Sequence, residues 1–420
     1  MTLGAENIIR LHRKLAASNQ AIDHERIFHS YKWSRLEVIL KVTERCNINC
    51  TYCYFFNAEN QDFKSHPAYI KTETIVACAK FLEKAARESG VNSIQIDFHG
   101  GEPLMMKKHR FDEMCTIFRT YLKNLNDVKF VIQTNAILID DEWIKIFAKH
   151  KISVGISLDG TLEFNDRYRL DHQGKGTYAA TVKGLRLLQQ SRLPGLQNDV
   201  GVICVIDPNT DAKKIFEHFV DELQLTSLHY LLPMHDHDTF DIAISESITR
   251  YLCDLFDAWV GREDPKISIR YFQRLFSLLV GGKKIMKDAS IGYKNSMAFT
   301  IASNGDIGPA DDLRNTFPSL FWSQKNVSNI SLVDFFKLPE IAKHFSEKME
   351  RHKECLSCCW GKICDGGDIV GSEAFRYSNA KSLQNKSIYC DSIQALLVHM
   401  TKFSLKRGVP FAKIRESLIQ

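Results

Sequence analysis

Cys46, Cys50 and Cys53 stand in the run CNINCTYC, three thiols separated by three and then two residues. Thiolates at that spacing can wrap one iron-sulfur cubane and ligate three of its four irons, leaving the fourth open to a small chelating ligand. An electron-transfer site of the ferredoxin kind supplies a fourth local cysteine instead. The alternatives are a zinc knuckle, which needs a fourth donor for which His66 is distant, and three unrelated buried thiols. The chain carries 12 cysteines in all. A second group spans 355 to 364, with Cys390 beyond it, and such clustering favours metal binding over a disulfide framework. Cys78, Cys115, Cys204 and Cys253 sit singly in regular patterns and read as small buried hydrophobes.

Positioning such a site requires a scaffold, and the sequence spells one out. Strand candidates are LEVILKV (36–42), SIQIDFH (93–99), KFVIQTN (129–135), ISVGISL (152–158), VGVICVI (200–206) and SLHYLLP (227–233). Amphipathic helical stretches such as TIVACAKFLEKAARE, DEWIKIFAK and TVKGLRLLQQ lie between them. Six β-α units predict an α/β fold with a parallel sheet curled into an open, partial barrel of the (β/α)6 TIM type. Chemistry belongs at the C-terminal ends of such strands. Cys46 follows the first strand, His99-Gly100-Gly101-Glu102-Pro103 ends the second, Thr134-Asn135 the third, and Ser157-Leu158-Asp159-Gly160 the fourth. The spacing thus puts four motifs on one rim. We expect a polar helical extension over 1–34, the barrel over 35–265, a bridging region over 266–294, a loop-rich cysteine-stapled domain over 295–395, and a helical tail over 396–420.

Composition sets the outer limits. The 420 residues, 44% hydrophobic, suffice for a large core. The net charge of +5 is spread along the chain rather than gathered into basic runs, which gives no case for nucleic acid. The N-terminal stretch has no apolar segment of a signal peptide, and no later run approaches a membrane span, so the expectation is a soluble cytoplasmic protein that does not bind membranes.

CNINCTYC, with Tyr52 before the last cysteine, resembles the signature of the radical S-adenosylmethionine (SAM) superfamily. The resemblance implies that a 4Fe-4S cluster on Cys46, Cys50 and Cys53 binds SAM at its open iron, and that reduction by a flavodoxin or ferredoxin releases a hydrogen-abstracting 5′-deoxyadenosyl radical. The run Gly100-Gly101-Glu102-Pro103 is similar to the segment that holds the SAM ammonium; its glycines permit close backbone approach and its carboxylate a charge-assisted bond. On the same resemblance Asn135 and Ser157 join the SAM site, Tyr52 borders adenine, and Arg167 or Arg169 pairs with the SAM carboxylate. The alternative for the 165–178 stretch is a capped, solvated loop.

The segment from Cys355 to Cys364, with Cys390, resembles the SPASM domain, an auxiliary-cluster module of peptide- and protein-modifying members. It implies one auxiliary 4Fe-4S cluster on Cys355, Cys358, Cys364 and Cys390, with Cys359 spare; structural zinc is the alternative. A first auxiliary cluster is not expected. The segment SNGDIGPADDL (303–313) is similar to the family's Gly-x4-Cys stretch but carries Ala310 in the cysteine's place, no cysteine lies between Cys253 and that stretch, and Asp368 stands where a further ligand is expected. In SPASM enzymes that oxidise side chains a carboxylate following that cysteine can act as base, which designates Asp311; Asp311-Asp312 as a solvated turn is the other reading. His235-Asp236-His237-Asp238 could bind metal or substrate, or be a polar loop.

The function expected from this resemblance is maturation of a ribosomally made precursor peptide by oxidative cross-linking, a carbon-carbon cyclophane first. Thioether formation and oxidation of a sulfatase Cys or Ser to formylglycine are the alternatives within enzymes, and a zinc-stapled peptide-binding protein is the alternative outside them.

Overall fold

The computed structural model describes residues 35–196, 200–281, 296–321, 325–367 and 371–418. The helical extension expected over 1–34 and Asp368 lie outside these residues. Six strands fall where the β-branched runs predict them: β1 (Arg35–Thr43), β2 (Ser93–Gly100), β3 (Asp127–Thr134), β4 (Ile152–Ser157), β5 (Gly201–Val205) and β6 (Ser227–Leu231). Each alternates two faces. On β1, Leu36, Val38, Leu40 and Val42 are buried under the helices, while Glu37, Ile39 and Lys41 occupy the opposite, inner face.

The helical layer comprises α1 (Thr72–Ser89), α2 (Lys108–Tyr121), α3 (Asp141–His150), α4 (Leu162–Tyr168), α5 (Tyr178–Gln190) and α6 (Ala212–Glu217). Its packing is aromatic between β2 and α3, where Phe98, Phe111, Trp143 and Phe147 follow one another at centroid distances of 5.0, 5.2 and 5.9 Å. Asp140 caps α3 by accepting from the Trp143 amide at 3.0 Å, which fixes the helix start that places this tryptophan.

The sheet extends beyond the expected six strands. Its order is β7-β6-β5-β4-β3-β2-β1-β8-β9, where β7 is Ser268–Ile269, β8 Ser296–Ile301 and β9 Ile307–Gly308. All pairs are parallel except the β8-β9 hairpin, and the two ends do not pair, so the barrel is partial and open. β8 lies against β1, with Leu40 opposite Ile301. The segment expected to begin a separate domain at 295 therefore supplies a strand to the barrel sheet, and β1 sits inside the sheet rather than at its edge. The expected bridging region likewise holds β7 and a helix, Arg270–Val280.

One helix runs unbroken from Cys390 to Lys406 and packs on Ser245–Gly261, with Thr249 Oγ1 donating to Ser392 Oγ at 2.9 Å. The expected division at 395 falls inside it, because Ile393, Leu396, Leu397 and Met400 form one continuous buried stripe. The His235–Asp238 loop ties β6 to this C-terminal region. The His237 amide donates to Tyr377 O at 2.9 Å, His237 Nε2 donates to Lys386 O at 2.7 Å, and Asp238 accepts from the Asn379 amide at 2.6 Å. These bonds account for the loop's polarity as docking. No helix among the described residues is long and apolar enough to cross a membrane.

Truncating the tryptophan at the centre of the aromatic run, Trp143→Ala, is expected to cost about 3–5 kcal/mol through lost burial and a residual cavity. Urea unfolding of the two proteins measures it as a lower midpoint at unchanged slope.

Candidate functional site

Beyond Thr43 the chain turns over the rim as the loop that carries Cys46, Cys50 and Cys53, and a second segment grips that loop. The Asn49 amide donates to Leu170 O at 2.7 Å, the Thr51 amide to Tyr168 O at 2.9 Å, and His172 Nε2 to Cys46 O at 2.9 Å. The gripping segment, 165–178, is knitted by its own side chains. Asp166 Oδ1 accepts from the Tyr178 amide at 2.8 Å and Thr177 Oγ1 donates to Arg169 O at 2.7 Å. It is therefore a brace on the cysteine loop, while 172–176 at its tip are exposed and capped by Asp171. His66 is not part of the cysteine group, since its Nδ1 donates to Glu44 at 2.9 Å.

Burial pushes the Cys46 thiol up to about 12, with Glu102, Cys50 and Cys53 adding to the rise, and burial raises Cys50 as well. Cys50 and Cys53 thus lie close enough to Cys46, and Cys53 to Cys50, to disfavour ionisation of the Cys46 and Cys50 thiols. Among the described residues no three Cys, His, Asp or Glu donors converge on the position of a single ion.

Gly100 and Gly101 continue β2 alongside the end of β1. The Gly101 amide donates to Thr43 O at 2.9 Å and the Glu102 amide to Arg45 O at 3.0 Å. A Cβ on Gly100 would meet Thr43 O at 1.9 Å and one on Gly101 would meet Arg45 O at 2.1 Å, so only glycine fits either place. Glu102 is buried; it accepts from the Leu104 amide at 3.0 Å, Thr134 Oγ1 at 2.7 Å and the Asn135 amide at 2.7 Å. Burial still pushes its carboxyl up. Three acceptor positions are filled and about one remains for a ligand cation. Pro103 opens the short turn that follows. Asn135 Nδ2 reaches Asn47 Oδ1 at 2.7 Å, joining the third strand end to the cysteine loop, and Ser157 Oγ accepts from Gln133 at 2.8 Å on the inner face.

The two candidate arginines separate. Arg167, 40% exposed, pairs with Asp207 at 3.1 Å just past the end of β5. Helical geometry at the end of α4 sends Arg169 the other way. Its buried guanidinium donates from Nη1 to Tyr52 OH at 2.9 Å, Tyr52 donates to Asp159, and Asp159 accepts from the Val205 amide at 3.0 Å. Arg169 Nε is buried without a hydrogen-bond partner, a donor left over beside Cys50.

Asp311 is not in a solvated turn. The β8-β9 hairpin returns it to β1, where Oδ2 accepts from Lys41 Nζ at 2.5 Å and from Tyr54 OH. Lys41 Nζ also donates to His99 Nδ1 at 3.0 Å, as the β1-β2 register pairs these residues. Arg314 Nη1 lies 3.6 Å from Asp311 Oδ1, its guanidinium pairs with Asp62, and it stacks 3.8 Å from the Phe55 ring. Burial works against ionisation of Asp311, but Lys41 first, then His99 and Arg314, outweigh it and hold the carboxyl down to about 2. Burial and Lys41 push His99 down to about 3, leaving it neutral. Asp312 faces elsewhere, toward Ser372 and Glu373, and burial pushes it up to about 6. Lys41, Tyr54 and Arg314 were not singled out by motif. The available signal was Lys41 itself, a cation inside the apolar strand ILKVT, where burial demands an anion.

In the C-terminal region Cys355 and Cys358 flank the end of a short helix, Cys364 ends the next, and Cys390 opens the long one. Burial pushes Cys364 up to about 12, with Cys390, Cys355 and Cys358 adding to the rise, so the four expected sulfurs gather and Cys359 stays exposed. Cys78, Cys115 and Cys204 are buried singly in the core.

Residues 40–219 match the family model of the radical SAM superfamily. A cysteine-type anaerobic sulfatase-maturating enzyme of Clostridium perfringens is 26% identical over 372 residues, 85% of this chain and 94% of the relative. A serine-type anaerobic sulfatase-maturating enzyme of Bacteroides thetaiotaomicron is 25% identical over 339 residues, 76% of this chain and 79% of the relative. Among solved structures, anSMEcpe with bound AdoMet and Cp18Cys peptide superposes with a TM-score of 0.73 at 22% identity, covering 89% of this chain and 98% of that one. Streptococcus suis SuiB bound to precursor peptide SuiA gives 0.53 at 20% identity, covering 91% and 79%. Both support the fold described above, a partial barrel with a cysteine-rich C-terminal region.

The split between the two arginines has a direct test. Arg169→Met is expected to lower reductant-dependent release of 5′-deoxyadenosine on the order of tenfold or more, as loss of a buried charged donor implies. Arg167→Met is expected to leave it within about twofold, as for an exposed ion pair.

Proposed function

We propose that this chain, a radical SAM enzyme with SAM and a 4Fe-4S cluster as cofactors, oxidises a Cys or Ser side chain of a peptide or protein substrate to formylglycine, as the maturases it resembles are named for sulfatases. Cys46, Cys50 and Cys53 would hold the initiating cluster, and Gly100, Gly101, Glu102, Asn135, Ser157, Tyr52 and Arg169 would line the SAM site. When bound, the cluster and SAM supply a 5′-deoxyadenosyl radical that removes one hydrogen atom from the substrate's β-carbon. Cys355, Cys358, Cys364 and Cys390 would hold one auxiliary cluster as electron acceptor. The carbon-carbon cyclophane expected from the sequence has no support among the relatives named above.

The observation that carries this reading is the tether between Asp311 and Tyr54, the residue directly after Cys53. It sets a carboxylate beside the radical-generating loop although the two are 257 positions apart. Oxidation of a Cys side chain exchanges hydrogen sulfide for a carbonyl oxygen from water and releases two electrons and two protons, so the site needs a proton acceptor. Asp311 would take the S–H proton. Loss of a hydrogen atom from the adjacent carbon makes that proton far more acidic than in a closed-shell thiol, and a carboxylate of low basicity then suffices. Neutral His99 and the Lys41 ammonium keep the carboxylate in place without competing for the substrate as nucleophiles.

Anaerobic incubation with SAM, a low-potential reductant and Cys- or Ser-containing sulfatase-type peptides, followed by mass spectrometry, tests the reading. The expected product has lost sulfur and gained oxygen from a Cys peptide, or lost two hydrogens from a Ser peptide, and forms a hydrazone. Loss of two hydrogens from a Cys peptide with sulfur retained and no carbonyl would replace formylglycine by a cross-link, the reading that Ala310 and the single auxiliary site favour.

A further inference from the structure

We propose that Lys41 is the positioning residue for Asp311, fixing by an ion pair the turn that a cluster-ligating cysteine would fix at position 310. The inference rests on the reading of Asp311 as proton acceptor and concerns how this chain keeps that residue aimed.

Position 310 is Ala, so no metal-sulfur bond can anchor the turn that precedes Asp311. Side chains do it instead. Asp311 Oδ2 is shared by Lys41 Nζ at 2.5 Å and Tyr54 OH, while Asn315 Nδ2 donates to Tyr54 O at 2.8 Å and Asn60 Nδ2 donates to Arg314 O at 2.9 Å. Turn and cysteine loop thus interlock at both ends. Lys41 itself is held from three sides, by the strand, by His99 Nδ1 at 3.0 Å and by the Phe55 ring 4.5 Å from Nζ. The consequence for Asp311 is asymmetric. One carboxylate oxygen is tied down, and the other, Oδ1, faces the Arg314 guanidinium at 3.6 Å without a hydrogen bond, which leaves it the oxygen with lone pairs for an incoming proton.

The ammonium also decides the charge of Asp311. The groups that face this carboxyl are Lys41 from β1, His99 from β2, Tyr54 from the cysteine loop, and Arg314 from its own turn, with Asp62 already occupied by Arg314. Lys41 touches the carboxylate at 2.5 Å while Arg314 stands 3.6 Å off and is divided between two carboxylates, so Lys41 is the principal counter-charge, ahead of His99 and Arg314. Without it, burial favours the protonated acid, which has no basicity to offer.

The test uses the anaerobically reconstituted full chain and the peptide substrates above, comparing Lys41→Met, Lys41→Arg and Asp311→Asn. The primary readout is coupling, the oxidised peptide formed per 5′-deoxyadenosine released. K41M is expected to lower coupling at neutral pH on the order of tenfold or more, as for loss of a general base, with coupling recovering as pH rises through a newly elevated Asp311 pKa. K41R is expected to recover at least about half, since it restores the charge. Infrared spectra of K41M should show a protonated-carboxyl stretch at neutral pH that is absent from K41M/D311N. Lys41→Gln, which keeps a donor without the charge, carries the same expectation if K41M does not fold. Wild-type coupling in K41M with no carboxyl band, while D311N makes no product, would overturn the role of Lys41 and leave Asp311 standing as acceptor. Wild-type product from D311N would instead overturn the assignment of Asp311 itself.

Discussion

A single buried ion pair, Lys41 with Asp311, closes the rim of this barrel across 270 positions of sequence. Two charges removed from water cost several kcal/mol each, and their attraction offsets that only when geometry and neighbouring hydrogen bonds are good. Here the pair is supported by Tyr54, His99 and Arg314, so the group is satisfied apart from one carboxylate oxygen and one guanidinium nitrogen. Its formation depends on β8 lying beside β1, because only that pairing carries the following turn back over the inner face. The sheet order and the ion pair therefore stand or fall together.

β1 is the common support of the site. Its end carries the cysteine loop, its neighbour on one side carries the glycine pair that approaches its carbonyls, and its neighbour on the other side delivers Asp311. The parts that would hold SAM, the cluster and the proton acceptor thus hang from three adjacent strands. Parallel pairing brings the ends of these three strands to the same rim, and the antiparallel β8-β9 hairpin then turns Asp311 back to β1. The brace at 165–178 grips the cysteine loop from the opposite side, which leaves the loop little freedom even before any metal binds.

Much of this was legible in the sequence, for physical reasons. Buried parallel strands need β-branched runs, and those runs placed six strands within two residues at either end. The glycine pair after β2 was legible because two adjacent glycines at a strand end imply close backbone approach. Three kinds of feature were not. β7 has two residues and β8 only six, SMAFTI, too short to stand out beside a loop-rich stretch. Arg167 and Arg169 differ only in which side of a helix end they leave from, and that depends on the exact termination of α4. The partners of Asp311 lie hundreds of positions away, and no local pattern encodes them; an isolated lysine in an apolar strand says that an anion must come, not which one. The HDHD run shows the converse, a motif with ligand-like residues that the fold spends on docking its C-terminal region.

One initiating cluster and one auxiliary cluster are the centre of the proposed chemistry, in a chain with Ala310 where a cysteine ligand of a further auxiliary cluster would stand. Mössbauer spectroscopy with iron quantification on anaerobically reconstituted protein, wild type beside the Cys46/Cys50/Cys53 triple alanine variant, measures this directly. Two cubanes, about eight irons, are predicted for the wild type and one, about four irons, for the variant. A third cluster, or zinc in place of iron at the remaining cysteines, would contradict it.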